Sequence, residues 1–336
     1  MSRLPLIIDT DPGLGEPGSD IDDGLAIALA LASPEIELLG LTVVNGNVDL
    51  STGIDVARRL VDRLRCPDLP VLGGAEAPLR RRMQPIRELF AAVGFHHPQV
   101  GQEAGTLGPT SPVPAAEWLV EQVRNRPGEI TIVAIGPMTN IATAIRLDPG
   151  FARDVGELVL MAGSATGYAQ NVTVVGDFNA YVDPEALDIV IRSGAKVRMV
   201  GLDQTSRVML TRDDAGMLRA RDRGDGVGQW IADCTDAWID FLAAAFPLRR
   251  EHQTACFLHD PLVLAAVIRP ELCTWAEAHV QVELESELAR GLVVADRGLS
   301  LTPPGPANAT VATDTDVAAF RSFFLDRMAA LPAITN

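Results

Sequence analysis

The chain has 336 residues, of which 47% are hydrophobic and 21% charged, a composition typical of a folded globular protein rather than a disordered one. Its formal charge is −16, and Lys196 is the only lysine among the 28 basic residues. Because an acidic chain without a basic stretch gives phosphate backbones no favourable electrostatics, we expect no nucleic-acid partner.

The apolar runs and the cysteines indicate the compartment in which we expect the protein. No apolar run approaches the ~18 residues of a membrane span, and no signal-peptide pattern opens the sequence, so we expect no membrane association. The cysteines are isolated and form no C-x-x-C pair that would indicate a zinc or redox site. Unpaired cysteines favour a reducing compartment, which predicts a cytoplasmic protein. They are Cys66, Cys234, Cys256 and Cys273.

Short apolar runs alternate with helical segments along the chain. In order, we predict a strand over Leu4–Ile8, a helix over Asp22–Ala32, a strand over Ile36–Val44, helices over Gly53–Arg65 and Ala115–Arg124, strands over Ile130–Ile135 and Leu158–Gly163, a helix over Pro184–Ser193, a strand over Lys196–Gly201 and a helix over Gly228–Phe246. This alternation predicts an α/β fold, with an open, mostly parallel, twisted sheet and helices on both faces. We expect a single domain over residues 1–336.

Two other segments carry specific expectations. Residues Pro78–Pro114, rich in glycine and proline and containing His96 and His97, are predicted to form a long irregular loop, a type of segment that is often functional. Near the C-terminus, Asp260 is predicted as the N-cap of another helix, with Pro261 as its first residue.

Polar side chains follow most of the predicted strands. Ligands of such sheets bind outside the carboxyl ends of the strands, so we expect the functional site at this edge. The strand-end residues are Asp9, Asp11, Asn45, Asn47, Asn140, Asn171, Asp177, Asn179 and Asp203.

The first helix begins at a second pair of aspartates, so that Asp9, Asp11, Asp22 and Asp23 fall within fifteen residues. Converging carboxylates repel one another, and a hard divalent cation relieves that repulsion. Either Asp22 or Asp23 could instead cap the helix, but capping accounts for one of the four and not for all.

The Asp9-Thr10-Asp11 segment also permits a different interpretation. Haloacid-dehalogenase phosphotransferases carry a D-x-D nucleophile motif after their first strand, and their chemistry needs a downstream lysine. Lys196, in a predicted strand, is the only candidate, and Pro12-Gly13 is unlike that family. Phosphoryl transfer is therefore a weaker alternative.

Taken with Asp22-Asp23, the run D-T-D-P-G from Asp9 to Gly13 resembles the opening motif D-x-D-P-G-x-D-D of the inosine–uridine-preferring nucleoside hydrolase family. Further blocks resemble that family in the same order over nearly the whole chain. They are Val43 to Val48, Ile135 to Ala142, Val159 to Gly163, Asn171 to Asn179, Asp183 to Ala186, His259 to Pro261, Gly291 to Gly298 and Ala307 to Asp316.

The resemblance implies hydrolysis of the N-glycosidic bond of ribonucleosides, with a homodimer or homotetramer as the assembly. It implies one Ca²⁺ ion, held by Asp11, Asp23, Asp260 and the backbone carbonyl of Ile135. Asp11 is the implied general base, acting on a Ca²⁺-bound water, and His259 the implied general acid that protonates the leaving base. The implied sugar-binding residues are Asp22, Asn47, Asn171, Asp177 and Asn179. A catalytically inactive relative that binds Ca²⁺ or a sugar is the alternative outside enzymes.

This chain departs from the family pattern in three places. Eight residues, Leu14 to Ile21, stand where the family has one, and they bring in Asp20. Asp177 stands where the family has a glutamate, and the usual His-Gly pattern is not evident in Gly94–Gly108. The base preference is therefore not inherited. Trp238 and Phe241 could stack on a base, although aromatic residues at helical spacing more often belong to a core.

Overall fold

A computed structural model of the protein describes residues 3–92, 94, 114–167, 171–222, 226–299, 301 and 304–331. The strands in this part of the chain are β1 Leu4–Thr10, β2 Ile36–Val43, β3 Val71–Gly73, β4 Thr131–Ala134, β5 Glu157–Met161, β6 Val197–Val200, β7 Met209–Thr211, β8 Ala255–Phe257, β9 Cys273–Val282, β10 Val293–Asp296 and β11 Ala309–Thr315. The α-helices are α1 Asp22–Leu31, α2 Leu50–Arg63, α3 Gln84–Ala92, α4 Ala115–Asn125, α5 Thr139–Leu147, α6 Phe151–Asp154, α7 Phe178–Val182, α8 Pro184–Ile191, α9 Leu202–Thr205, α10 Arg212–Ala220, α11 Val227–Ala245, α12 His259–Ile268 and α13 Val317–Ala329.

Nine of the described strands form one sheet, in the order β10-β9-β11-β6-β5-β4-β1-β2-β3. Strand β9 runs antiparallel to both β10 and β11, whereas every pair from β11 to β3 is parallel. Strands β7 and β8 form a separate antiparallel pair. The predicted α/β class with a mostly parallel sheet is confirmed.

Strand β1 shows why the sheet needs helices on both faces. Its residues are apolar with little alternation, as expected for a strand that is buried on both sides. Leu6 and Ile8 pack into a core formed with α1, α2, α12 and α13, whereas Ile7 packs into a second core with α4, α5 and α8. Because successive side chains point to opposite faces, the two cores lie on opposite sides of the sheet.

The prediction of an irregular loop over Pro78–Pro114 is wrong for its first part, because Gln84–Ala92 forms helix α3. Pro85 is tolerated in the first turn of a helix, where its missing N–H leaves no bond unmade. One turn further on, the side chain of Gln84 donates to Glu88 at 3.0 Å. His96 and His97 lie outside the described residues.

Helix α12 also begins earlier than predicted. It starts at His259, so Asp260 lies inside the first turn rather than at the N-cap. The backbone N–H of Asp260 donates to Asp22 Oδ2 at 3.3 Å, a carboxylate of another helix. The Asp260 carboxylate itself lines the cavity described below.

In the part of the chain that the structure covers, no helix is both long and apolar enough to cross a bilayer.

Candidate active site

A cavity opens at the carboxyl edge of the sheet, beside the first turns of α1 and α12. It is lined by every predicted site residue except Asp11 and Asp177, together with three further residues. The lining residues are Asp20, Asp22, Asp23, Asn47, Ile135, Met161, Asn171, Phe178, Asn179, His259 and Asp260. Residues separated by more than two hundred positions therefore meet at the edge that the strand order predicts.

Three carboxylates converge at the floor of this cavity. One oxygen each of Asp22, Asp23 and Asp260 lies within 4.8 Å of the others, and all three residues are buried. Asp23 Oδ1 accepts hydrogen bonds from the hydroxyl of Thr10 at 2.5 Å and from the N–H of Asp11 at 3.0 Å. These bonds fix Asp23 against the end of β1, so that the group is held from two helices and one strand.

The carboxylate of Asp11 lies next to this group but is not one of its three members. Asp11 Oδ2 accepts the backbone N–H of Asn47 at 2.7 Å. Two glycines leave it room, since a Cβ at Gly46 would overlap Asp11 Oδ2 and one at Gly136 would lie 2.7 Å from Oδ1. The predicted roles of Asp11 as ligand and base stay predictions.

Burial and mutual repulsion disfavour the charged forms of these carboxylates. Burial is the main cause that raises the pKa values of Asp11, Asp22 and Asp260 well above their usual range, and the neighbouring aspartates add to it. Burial also raises the pKa of Asp20 to about 6. Among the described residues that line the cavity there is no arginine or lysine. A cation bound there would relieve a repulsion that these residues cannot relieve themselves.

Asp9, at the end of β1, faces away from the cavity floor. Its Oδ1 accepts from the hydroxyl of Thr42 at 2.5 Å and from the amide of Asn140 at 2.8 Å. Burial raises the pKa of Asp9 to about 7. These contacts join the ends of β1 and β2 to the start of α5, which gives Asp9 a structural role.

Two asparagine amides are held by contacts around the carboxylates. The Asn47 side chain donates to Asp23 Oδ2 at 3.0 Å. The Asn179 amide nitrogen donates to the carbonyls of Ile135 at 2.7 Å and Met161 at 3.0 Å. Because its nitrogen is engaged by backbone, Asn179 has its amide oxygen left for a ligand. Asn171 also lines the cavity and is exposed there.

Both oxygens of the Asp177 carboxylate accept hydrogen bonds from backbone N–H groups. Its Oδ2 accepts from Gly163 N at 2.6 Å, and its Oδ1 accepts from Ala180 N at 3.2 Å as the N-cap of α7. Asp177 therefore fixes the helix that carries Asn179. A direct contact between Asp177 and a sugar stays a prediction.

His259 stands at the start of α12, on the wall of the cavity. Its Nδ1 lies 2.8 Å from the hydroxyl oxygen of Thr205, and its ring lies 5.2 Å from that of Phe257. Burial lowers the pKa of His259 to about 4, so the ring is neutral at pH 7 in the protein without a ligand. With Nδ1 engaged, Nε2 is the nitrogen left for a ligand.

Several contacts were not predicted from the sequence. Thr205 ends the short helix after β6, Met161 is the last residue of β5, and Phe178 is the first residue of α7. All three lie at or near strand ends, so the strand-end rule could have found them. Their residue types carry no acid–base signal, which is why they were passed over.

Two sequence interpretations lose support. Lys196 precedes β6 at the amino edge of the sheet, where its exposed side chain pairs with Glu157 at 3.2 Å, on the opposite edge from Asp9 and Asp11. This position does not suit the lysine of a D-x-D phosphotransferase. Trp238 is buried in the core and stacks on Phe241 with ring centroids 5.2 Å apart, and neither residue lines the cavity.

Comparison with known proteins agrees with the motifs. The chain matches the inosine-uridine preferring nucleoside hydrolase family over residues 6–322. It is 34% identical to a pyrimidine-specific ribonucleoside hydrolase, RihA, of Citrobacter koseri, with 97% of this chain and 98% of that protein covered. Among solved structures, it resembles a plant nucleoside hydrolase (TM-score 0.83, 30% identity, 98% and 100% of the chains covered) and a purine-preferring ribonucleoside hydrolase of Gardnerella vaginalis (TM-score 0.79, 31% identity, 97% and 98% covered).

The fold and the comparisons together define an N-glycosidase. The chain belongs to the inosine-uridine preferring nucleoside hydrolase family, as its motifs indicated.

Proposed function

We propose that the protein hydrolyses ribonucleosides to free base and ribose in this cavity, with Ca²⁺ as its resident ion. The observation that carries the proposal is the meeting of Asp22, Asp23 and Asp260 with His259 at one cavity of a nucleoside hydrolase fold. Breaking an N-glycosidic bond develops positive charge on the sugar, and the converging carboxylates are suited to stabilise that charge.

The residues present fit a hard cation. All three donors of the carboxylate group are oxygens, and the Ile135 carbonyl lines the same cavity. Ca²⁺ takes six to eight oxygen ligands, so the protein donors would leave positions for sugar hydroxyls and water. When bound, the ion would supply positive charge that orients the sugar hydroxyls and makes the attacking water more acidic.

Asp11 is the proposed general base. The backbone N–H of Asp11 donates to Asp23, which keeps the Asp11 carboxylate next to the three converging carboxylates. From there it would take the proton from the attacking water. Gly46 and Gly136 leave space for the Asp11 carboxylate in one position, and a fixed position favours a role in catalysis.

Polar atoms at the cavity are proposed to bind the sugar. Asp22 offers a carboxylate, Asn179 an amide oxygen, and Asn47 and Asn171 further amides. On this proposal Asp177 acts through the helix that it caps, by holding Asn179 in place. On this proposal the ribose hydroxyls meet those polar atoms of these residues that the contacts described above leave over.

His259 is the proposed general acid. Its ring lies on the cavity wall next to Asp260, where Nε2 would give a proton to the departing base as the bond to the sugar breaks. The electrons of that bond stay with the base nitrogen, which the proton then neutralises.

The deciding experiment measures free ribose. Purified protein with added CaCl₂ is given uridine, cytidine, inosine, adenosine and guanosine, and reducing sugar is assayed. Release from at least one of them, abolished in Asp260→Asn, is expected. A protein that binds Ca²⁺ but releases no ribose from any nucleoside would be a catalytically inactive relative, and phosphate release from a phosphomonoester with Mg²⁺ would favour phosphotransfer instead.

A further inference from the structure

The hydroxyl of Thr205 meets the ring of His259 on the side away from the cavity. Its Oγ1 lies 2.8 Å from Nδ1, and Thr205 is fully buried. We propose that Thr205 is a positioning residue for His259, holding Nδ1 so that Nε2 is presented to the leaving base. The inference deepens the proposed function, since it rests on His259 giving the proton.

Thr205 is itself firmly placed, because helix α9 is tied down on both sides. Within this short helix, Asp203 accepts the N–H groups of Ala165 at 3.1 Å and Thr166 at 3.0 Å, which joins α9 to the loop after β5. On the other side, Gln204 Oε1 accepts from the hydroxyl of Thr315 at the end of β11, at 3.2 Å. These contacts hold helix α9, and with it Thr205, beside the ring of His259.

The ring of His259 is held in one plane as well. The Phe257 ring packs on it with centroids 5.2 Å apart and planes inclined by 35°. A 180° flip of the imidazole would place Cδ2 against the Thr205 hydroxyl and Cε1 where Nε2 now lies. The hydroxyl thus distinguishes two ring orientations that shape alone would accept equally.

A hydroxyl suits this position throughout the reaction, because it can both donate and accept. In the neutral ring of the protein without a ligand, the hydroxyl can donate to Nδ1. Once the ring has taken up a proton from solvent, Nδ1–H donates to Thr205 Oγ1 while Nε2–H faces the base. When the C1′–N bond breaks and its electron pair stays on the base, the Nε2 proton moves to that nitrogen. The ring is then neutral and keeps its hydrogen on Nδ1, still donated to Thr205.

The test compares variants that remove or retain the hydroxyl. Thr205→Val keeps the shape without the hydroxyl, Thr205→Ala is a second variant without it, and Thr205→Ser retains it. Thr235→Val is the matched control, since Thr235 is also fully buried in a helix, where its hydroxyl donates to Ile231 O at 2.8 Å. Each is assayed on the best ribonucleoside and on 4-nitrophenyl riboside, whose leaving group departs as an anion without needing a proton.

We expect Thr205→Val and Thr205→Ala to lose about 10-fold in kcat on the nucleoside, a part of the full effect of a general acid. Activity on 4-nitrophenyl riboside should change little, and Thr205→Ser and Thr235→Val should resemble the wild type on both substrates. Equal losses on the two substrates, or Thr205→Ser as impaired as Thr205→Val, would overturn the assignment.

A second readout separates this proposal from the proposed function. The ¹⁵N resonances of the His259 ring, assigned with His259→Ala, should shift in Thr205→Val and Thr205→Ala and not in Thr235→Val. If the wild type releases no ribose, the proposed function fails, whereas unchanged His259 resonances in both Thr205 variants refute the positioning role.

Discussion

At the scale of single residues, the position of the Asp11 carboxylate depends on two neighbouring glycines, which have no Cβ atom. Hydrogen atoms at Gly46 and Gly136 leave just enough space for its carboxylate, which the N–H of Asn47 then holds. Neither glycine has a positive φ, so steric room at the carboxylate, rather than backbone conformation, is what requires glycine there.

We therefore expect Gly46→Ala to displace the Asp11 carboxylate and lower kcat by about 10²-fold, since shifts near 1 Å in a catalytic group have costs of that size. Gly216→Ala is the control, because a Cβ there meets no atom within 4 Å. That substitution lies inside α10 and should raise the free energy of unfolding by about 0.5–1 kcal/mol with unchanged activity. Steady-state kinetics and urea unfolding of both variants check the pair; wild-type kcat in Gly46→Ala would contradict the role of Asp11.

Selectivity for the sugar belongs to the same scale. Polar groups built to meet a hydroxyl are left unpaired when the hydroxyl is missing, so we expect the 2′-deoxy form of the best substrate to be cleaved at least ~10²-fold less efficiently. The ratio of kcat/KM for the two substrates should fall in Asn179→Ala. It should also fall in Asp177→Asn, because the amide has one oxygen for the two backbone N–H groups that the carboxylate accepts from and so holds Asn179 less firmly. A ratio near one in the wild type would mean that these residues do not bind the sugar.

At the scale of elements, the inserted segment Leu14 to Ile21 is packed rather than loose. Leu14 is 3% exposed, and a Cβ on Gly24 of α1 would lie 2.5 Å from its side chain. Glu16 pairs with Arg59 of α2. Leu14 and Glu16 therefore attach the segment to α1 and to α2. Asp20, its last residue but one, lies in the wall of the cavity.

Shortening Leu14, which packs this segment against α1, should lower the stability of the protein. Leu14→Ala is expected to lower the free energy of unfolding by about 2–5 kcal/mol, as for other buried leucines. Leu248→Ala, at a leucine that is 95% exposed, should change it by less than about 0.5 kcal/mol. Denaturant unfolding measures both, and similar values for the two leucines would show that the insertion is not part of the packed structure.

The elements also show what a sequence can predict. Strand–helix alternation predicted the mostly parallel sheet correctly, and the polar strand ends predicted the edge at which the cavity lies, because both follow from local patterns. Local patterns could not show that Asp22 caps the first turn of α12, since that contact joins positions 238 residues apart. The same reason applies to the hydrogen bond between Thr205 and His259. The glycine and proline content of Pro78–Pro114 concealed helix α3.

At the scale of the whole molecule, a chain with a formal charge of −16 buries a group of aspartates. A buried group of aspartates costs stability until a cation or protons neutralise it. The expected single domain and homo-oligomer stay predictions, which limited proteolysis and light scattering would test.

Metal removal should therefore destabilise the fold. Protein treated with EDTA should melt at a lower Tm, and CaCl₂ should raise the Tm in a concentration-dependent way, because a ligand of the folded state alone stabilises it. MgCl₂ should raise it less, since Mg²⁺ demands a more regular set of ligands. The shift should be lost in Asp23→Asn. Thermal melts of the two proteins decide, and an identical Tm with EDTA and with CaCl₂ would refute a calcium site.

The hydrogen bond between Asp22 and the first turn of α12 can form only late in the synthesis of the chain. Two of the three converging carboxylates come from the first 23 residues, and the third comes from residue 260 of 336. A nascent chain therefore lacks one of the three carboxylates until more than three quarters of it has been synthesised. A product that stops before residue 260 cannot assemble the group.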